Sequence, residues 1–178
     1  MEDFPQTAIE HDKVELAMPL FPTRNDLPEE VRSKVTALLN QLLAEAFDLF
    51  SQTKQAHWNV KGRDFYQLHK LFDQLAATLL EPIDELAERI TALGGVAKGT
   101  VRMSAGQSKL PEYPVDATEG MQHVRLLADR YGILANTMRR AIDQSSEWGD
   151  QNTADLCTEI CRELDKNLWF LEAHLIEK

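Results

Sequence analysis

One connection limits what this chain can become more than any other feature. The run GGVAKGTVRMSAGQSKLPEYPVD, residues 94–116, is over twenty residues long and holds four of the chain's eight glycines. On either side lie long segments whose apolar residues recur at steps of three, four and seven, the period of an amphipathic helix. Four such segments are predicted. The first opens at Asp26, with Glu29 completing a D-x-x-E capping box and Pro28 in the first turn; it carries Val31, Val35, Leu38, Leu42 and Leu49, and Gly62 stops it. The second opens at Asp64, with Gln67 as its capping partner, and runs through Leu68, Phe72, Leu75, Leu79, Ile83 and Ile90 to Gly94 and Gly95. Pro82 removes a backbone donor inside it and is expected to kink or break the helix near Thr78. The third covers roughly 117–146 and the fourth roughly 152–175, opening at Asn152 or Thr153.

Connection length then sets topology. The first and second helices, and the third and fourth, are joined by about five residues each, which makes each pair antiparallel neighbours. The long run permits a crossover along the whole bundle, so the second and third helices are expected to lie parallel. With 178 residues and 43% apolar content, one domain with a proper core is the expectation. No apolar run approaches the ~18 residues of a membrane span. The N-terminus has neither a basic nor an apolar leader segment, so the protein is expected in the cytoplasm. Cys157 and Cys161, one turn apart, are expected to be small buried residues in a reducing compartment. The net charge of −10 repels nucleic acid and anionic membrane and draws cations. Residues 1–22, with Glu2, Asp3, Glu10, Asp12 and Glu15 against Lys13 alone, form an acidic extension ahead of a domain at 23–178.

The polar residues of the second helix are placed to bind a metal. His69 and Asp73 stand at i and i+4, facing one way, and offer the nitrogen and oxygen that a divalent ion takes. His57, near the end of the first helix, adds a second imidazole. Asp84 and Glu88 repeat the i, i+4 spacing further on. At 100° per residue all four groups of the second helix fall within a sector of ~100°. Eleven residues at 1.5 Å rise nevertheless separate Asp73 from Asp84 by ~16 Å, so the two pairs cannot grip one ion within a chain. A twofold dimer joins them, because an isologous interface makes each mixed site twice. On spacing alone, an ordinary solvated face and two packed histidines remain the alternative. His11, His123 and His174 stand apart and are expected to be surface or packed residues. Asp143, Asp150 and Asp155, around the turn between the third and fourth helices, are candidates for the lining of an entry pore.

The motifs carry a resemblance. TKQAHWNVKG, then F-x-x-x-H-x-x-x-D from Phe65 to Asp73, then D-x-x-x-E-R-x-x-x-L-G-G from Asp84 to Gly95, closely resemble the Dps family of miniferritins. TRND at 23–26, YP at 113–114, ADRY at 128–131 and LDKNLWFLEA in the fourth helix extend the likeness over about residues 23–173. The resemblance implies an all-α, ferritin-like four-helix bundle with a short extra helix in the crossover, assembled as a hollow homo-dodecamer. It implies a di-iron ferroxidase centre between subunits, where Fe²⁺ is oxidised to Fe³⁺ by hydrogen peroxide or oxygen and then stored as ferric oxyhydroxide. His57, His69 and Asp73 would come from one chain, Asp84 and Glu88 from its twofold mate. Asp84 and Glu88 with His57 make the tighter iron site, and His69 and Asp73 a weaker one. Trp58 resembles a tryptophan of the family that supplies or absorbs an electron near the centre. Some members bind DNA through a lysine-rich tail; the acidic N-terminus and LIEK C-terminus here lack one, so no DNA binding is expected.

Overall fold

The computed structural model describes residues 20–176, and six helices account for most of them. They are α1 (Glu29–Asn59), α2 (Phe65–Ala77), α3 (Leu80–Ala92), α4 (Val101–Gln107), α5 (Gly120–Glu147) and α6 (Gln151–Glu172). No strand occurs among the described residues. The predicted second helix is the pair α2 and α3, broken where Pro82 demands it. Leu79 N–H turns to the Ala76 carbonyl at 3.1 Å, and the α-helical ladder resumes with Ile83 N–H on the Leu79 carbonyl at 3.1 Å. Thr78 sits at the break, donating from Oγ1 to the Leu75 carbonyl at 2.8 Å and accepting from Asn167 Nδ2 of α6 at 2.8 Å. The bundle therefore absorbs the irregularity with polar contacts of its own.

Four rods, α1, α2 with α3, α5 and α6, enclose the core. Leu39, Leu42 and Leu49 of α1 meet Phe72 and Leu75 of α2, Ile90 of α3, Leu127 and Leu134 of α5, and Leu164 of α6, all buried. At roughly 1.5–3 kcal/mol for each fully buried large apolar side chain, this shared face holds the rods together.

The crossover runs alongside α1 in the same direction. Asn40 binds the backbone at Val96 and Lys98 (3.1 and 2.8 Å), Gln41 the Gln107 carbonyl (3.0 Å), Asp48 the Ser108 hydroxyl (2.6 Å) and Gln52 the Pro111 carbonyl (3.2 Å). Residue numbers rise together on both partners, so the strap climbs from the start of α1 to its end. There Lys61 N–H meets the Thr118 carbonyl at 2.8 Å and α5 begins. That path makes α5 parallel to α2 and α3, as the connection lengths require.

Helix starts differ from the sequence expectation. Neither Asp26 nor Asp64 makes a capping bond. The N-cap of α1 is Pro28, whose ψ of 143° is extended, which leaves Asp26 outside the first turn; Asn25 Oδ1 instead accepts from Leu27 N–H at 3.0 Å. Before α2 the chain turns at Gly62, at φ 105° where a side chain is strained, and Phe65 N–H closes on the Gly62 carbonyl. The caps that form are Thr100 on α4, accepting from Met103, Glu119 on α5, accepting from Met121 and Gln122, and Asp150 on α6, accepting from Thr153. Cys157 and Cys161 are free and buried as expected, and burial pushes the Cys157 thiol up to about 12.

Candidate metal centre

The end of α1 and the start of α2 form a tight hairpin, and its two histidines clasp each other. The rings of His57 and His69 stack at 3.8 Å. His57 Nδ1 lies 2.8 Å from the His69 carbonyl, and His69 Nδ1 lies 2.8 Å from the His57 carbonyl. A carbonyl oxygen only accepts, so each Nδ1 carries the proton and donates. The remaining nitrogen of each ring, Nε2, is thereby left as a lone-pair donor, the arrangement seen when backbone carbonyls orient metal-binding imidazoles.

Asp73 joins them one turn along α2. Its Oδ1 stands 3.8 Å from His57 Nε2 and accepts from Lys54 Nζ at 2.7 Å. The hydrogen bond from Lys54 is the main reason that Asp73 sits below the usual carboxylate range. Lys54 also reaches over the Trp58 ring at 5.8 Å. It is the member of this cluster that the sequence reading did not single out, although its i, i+3 spacing from His57 puts both on one helix face. Trp58 itself is 66% exposed, large for a tryptophan.

Asp84 and Glu88 lie on α3, beyond the Pro82 break, and both are exposed. Neither makes an ion pair among the described residues. Leu80, 54% exposed, sits on the same rod between the two clusters. Among the described residues of one chain, no three His, Cys, Asp or Glu side chains are placed to hold a metal ion. His57, His69 and Asp73 are thus brought together, and Asp84 and Glu88 form a separate group.

The other candidate acids behave differently. Asp150 is 2% exposed and saturated: Arg89 Nη2 donates to its two oxygens at 2.8 and 3.0 Å, and Thr153 adds its N–H at 3.0 Å and its hydroxyl at 2.6 Å. It joins α3 to the start of α6 and cannot line a pore. Asp143 and Asp155 remain exposed. His174 bonds the Phe170 carbonyl at 2.7 Å, and His11 lies outside the described residues.

The ferritin-like domain family matches residues 36–177 of this sequence. A DNA protection during starvation protein of Agrobacterium fabrum is 46% identical over 161 residues, covering 90% of this chain and 99% of that protein. The chain belongs to the Dps miniferritins of the ferritin-like family. Among Dps structures, DpsC from Streptomyces coelicolor superposes with a TM-score of 0.86 at 30% identity, covering 93% of this chain and 97% of that one. A Dps protein of Vibrio cholerae O1, described as a member of a broad superfamily of ferritin-like diiron-carboxylate proteins, gives 0.80 at 30% identity, covering 84% and 94%. No described helix is long and apolar enough to cross a membrane.

Proposed function

We propose that this protein is a ferroxidase that takes Fe²⁺ as substrate, oxidises it between subunits and stores the ferric product inside a hollow dodecamer. The observation that carries this reading is the histidine clasp. It spends both Nδ1 protons on backbone carbonyls, and His57 Nε2 stands 3.8 Å from the Asp73 carboxylate. Support also comes from the Agrobacterium relative's name, which concerns DNA protection in starvation, and from the diiron-carboxylate description of the Vibrio protein.

In this reading His57, His69 and Asp73 face the partner subunit's Asp84 and the partner subunit's Glu88 across a twofold axis. Leu80 and its neighbouring alanines supply the apolar seam. The chain's −10 charge draws cations toward the shell. Carboxylate oxygens are hard donors that favour Fe³⁺ over Fe²⁺, and the neutral imidazoles keep the ferrous site from excess negative charge. Lys54 holds Asp73 as a counter-cation, so an arriving Fe²⁺ exchanges one positive charge for another. Two Fe²⁺ give one electron each to hydrogen peroxide, which takes two protons and leaves as two waters; peroxide is the preferred oxidant over oxygen. Trp58, next to His57, is the nearby side chain that passes a single electron. Removing both reagents in the cytoplasm suppresses hydroxyl-radical formation. Protection of DNA then comes from this chemistry without DNA binding, since an acidic surface releases few counterions from phosphate.

Anaerobic Fe²⁺ titration followed by stopped-flow oxidation with each oxidant tests the proposal. Saturable binding near two irons per centre and faster oxidation by peroxide are expected; no saturable binding would overturn it. A gel shift at low salt checks the DNA statement, and retardation by the intact protein would overturn that part.

A further inference from the structure

Between the crossover and α5 lies a buried polar pair that the ferroxidase chemistry above does not use. The Tyr113 hydroxyl, in the crossover, is 2.7 Å from His123 Nδ1 of α5. Tyr113 is 8% exposed and His123 is fully buried. The two rings are nearly parallel at 5.9 Å, and His123 meets Phe72 edge-on at 6.2 Å. Phe72 is the residue before Asp73. On its other side Tyr113 lines an open cleft together with Trp58, the residue after His57. The pair is thus linked to α2 by the Phe72 ring and shares a cleft with Trp58 at the end of α1.

We infer that Tyr113 is an internal one-electron donor to the proposed iron centre, releasing its phenolic proton to His123 as the electron leaves. The inference rests on the ferroxidase reading. Its chemistry answers a stoichiometric problem: peroxide takes two electrons, and a centre holding one Fe²⁺ supplies one. The balanced step is Fe²⁺ + H₂O₂ + Tyr–OH + His → Fe³⁺ + Tyr–O• + HisH⁺ + 2 OH⁻. The phenolic O–H bond breaks, the proton moves first to His123 Nδ1, and peroxide is reduced without freeing a hydroxyl radical. A later Fe²⁺ returns the electron, becoming Fe³⁺, and the imidazolium returns the proton.

Three features of the surroundings single out this tyrosine. The chain has three, and Tyr113 alone has a base at its hydroxyl. Tyr131 is enclosed by the Thr53 hydroxyl at 3.4 Å and the Leu75 carbonyl at 3.3 Å, neither of which takes a proton readily. Tyr66 is 65% exposed, with Lys70 near its ring. Second, Arg130 lies over the Tyr113 ring at 5.1 Å. Arg130 is itself fixed by Gln52 and by the Glu112 carbonyl. A cation against the ring opposes a ring cation, so the electron leaves only if the proton leaves too. Third, burial holds the phenol above its ordinary range and the imidazole below its own. At neutral pH the pair is therefore a neutral phenol beside a neutral base. Glu119 and the Asn59 backbone favour a positive ring at His123. His123 acts through Tyr113 and is a positioning residue.

The test compares the full-length protein with Tyr113→Phe and His123→Gln. Each is given one Fe²⁺ per proposed centre and then hydrogen peroxide, and is freeze-quenched for electron paramagnetic resonance with and without ring-deuterated tyrosine. In parallel, the metal-free protein is photo-oxidised with a ruthenium polypyridyl and persulfate. A deuterium-sensitive tyrosyl signal is expected in both arms. It should vanish in Tyr113→Phe and fall on the order of 100-fold in His123→Gln, where the base is lost. Thermal melts of both variants confirm that they fold. Iron oxidation with no tyrosyl signal, or a signal undiminished in Tyr113→Phe, overturns the inference and leaves the ferroxidase reading intact. Absence of any iron oxidation in the unmodified protein overturns both, and the photo-oxidised arm then reports the pair's chemistry separately.

Discussion

Two polar clusters on the same rods make opposite use of the same residue types. At the α3–α6 junction Arg89, Asp150 and Thr153 satisfy one another, with both carboxylate oxygens engaged and nothing left to bind. At the α1–α2 hairpin the histidines use half of their nitrogens on each other's backbone and leave the Nε2 atoms without a hydrogen bond among the described residues. A closed network contributes to the fold, because a buried charge stripped of its partner is expensive. An oriented but incomplete set is what a ligand needs, since its donors are placed before the ligand comes. Counting acids and histidines does not separate these cases; asking which acceptors are already taken does.

The largest effect expected from breaking this contrast is Arg89→Ala. It leaves the Asp150 carboxylate buried with its main partner gone and should cost about 3 kcal/mol of stability by denaturant unfolding. Fe²⁺ binding per folded molecule should stay unchanged. Next come the proposed ligands. His57→Ala or Asp84→Ala should lower the iron oxidation rate on the order of 100-fold by stopped flow, with a smaller change in unfolding. Mixing these two variants and reassembling them sharpens the shared-site claim. Half the dimers are then hybrids, each with one intact centre of two, so recovery to about one quarter of full activity is expected. No recovery would show that the ligands come from one chain.

A smaller effect concerns Glu45, which is buried with Oε2 unpartnered and Oε1 held by Gln41 at 2.7 Å. Desolvation raises its pKa above the unfolded value. The folded state therefore binds this proton more tightly, and the group's contribution falls as pH rises through the window above the ordinary glutamate range. Glu45→Gln should flatten that slope and gain about 1 kcal/mol near neutral pH, read from melts across pH. The smallest change expected is Lys54→Gln, which removes the counter-cation from the exposed Asp73. A few-fold shift in Fe²⁺ affinity, weakening with salt, is anticipated by titration.

Much of the architecture was legible beforehand. Unequal connections gave the parallel pairing of α2–α3 with α5, and Pro82 gave the break at Thr78, because chain length and a missing N–H act locally. Helix starts were misread because S/T/D-x-x-E patterns record only spacing. Pro28 in an extended conformation and Gly62 at positive φ decided where the first turns lie. The five proposed ligand positions could be named from spacing and resemblance. The reciprocal clasp could not, since it depends on how α1 and α2 rotate against each other across the hairpin. Asp150 was misassigned for a related reason: its partner Arg89 is 61 residues away.

Much of the crossover is gripped through its main chain, with Ser104, Leu110 and Tyr113 buried as side-chain anchors. Asn40, Gln41, Gln52 and Arg130 all bind backbone atoms of the strap, while Val101, Met103 and Val115 point into solvent at 68, 47 and 89% exposure. Fastening of this kind is indifferent to the lettering of exposed positions such as Val101, Arg102 and Met103, so new charge patterns can be written there without loosening the barrel of helices beneath. For anyone wishing to decorate this bundle, those positions of the ribbon are the natural place to begin.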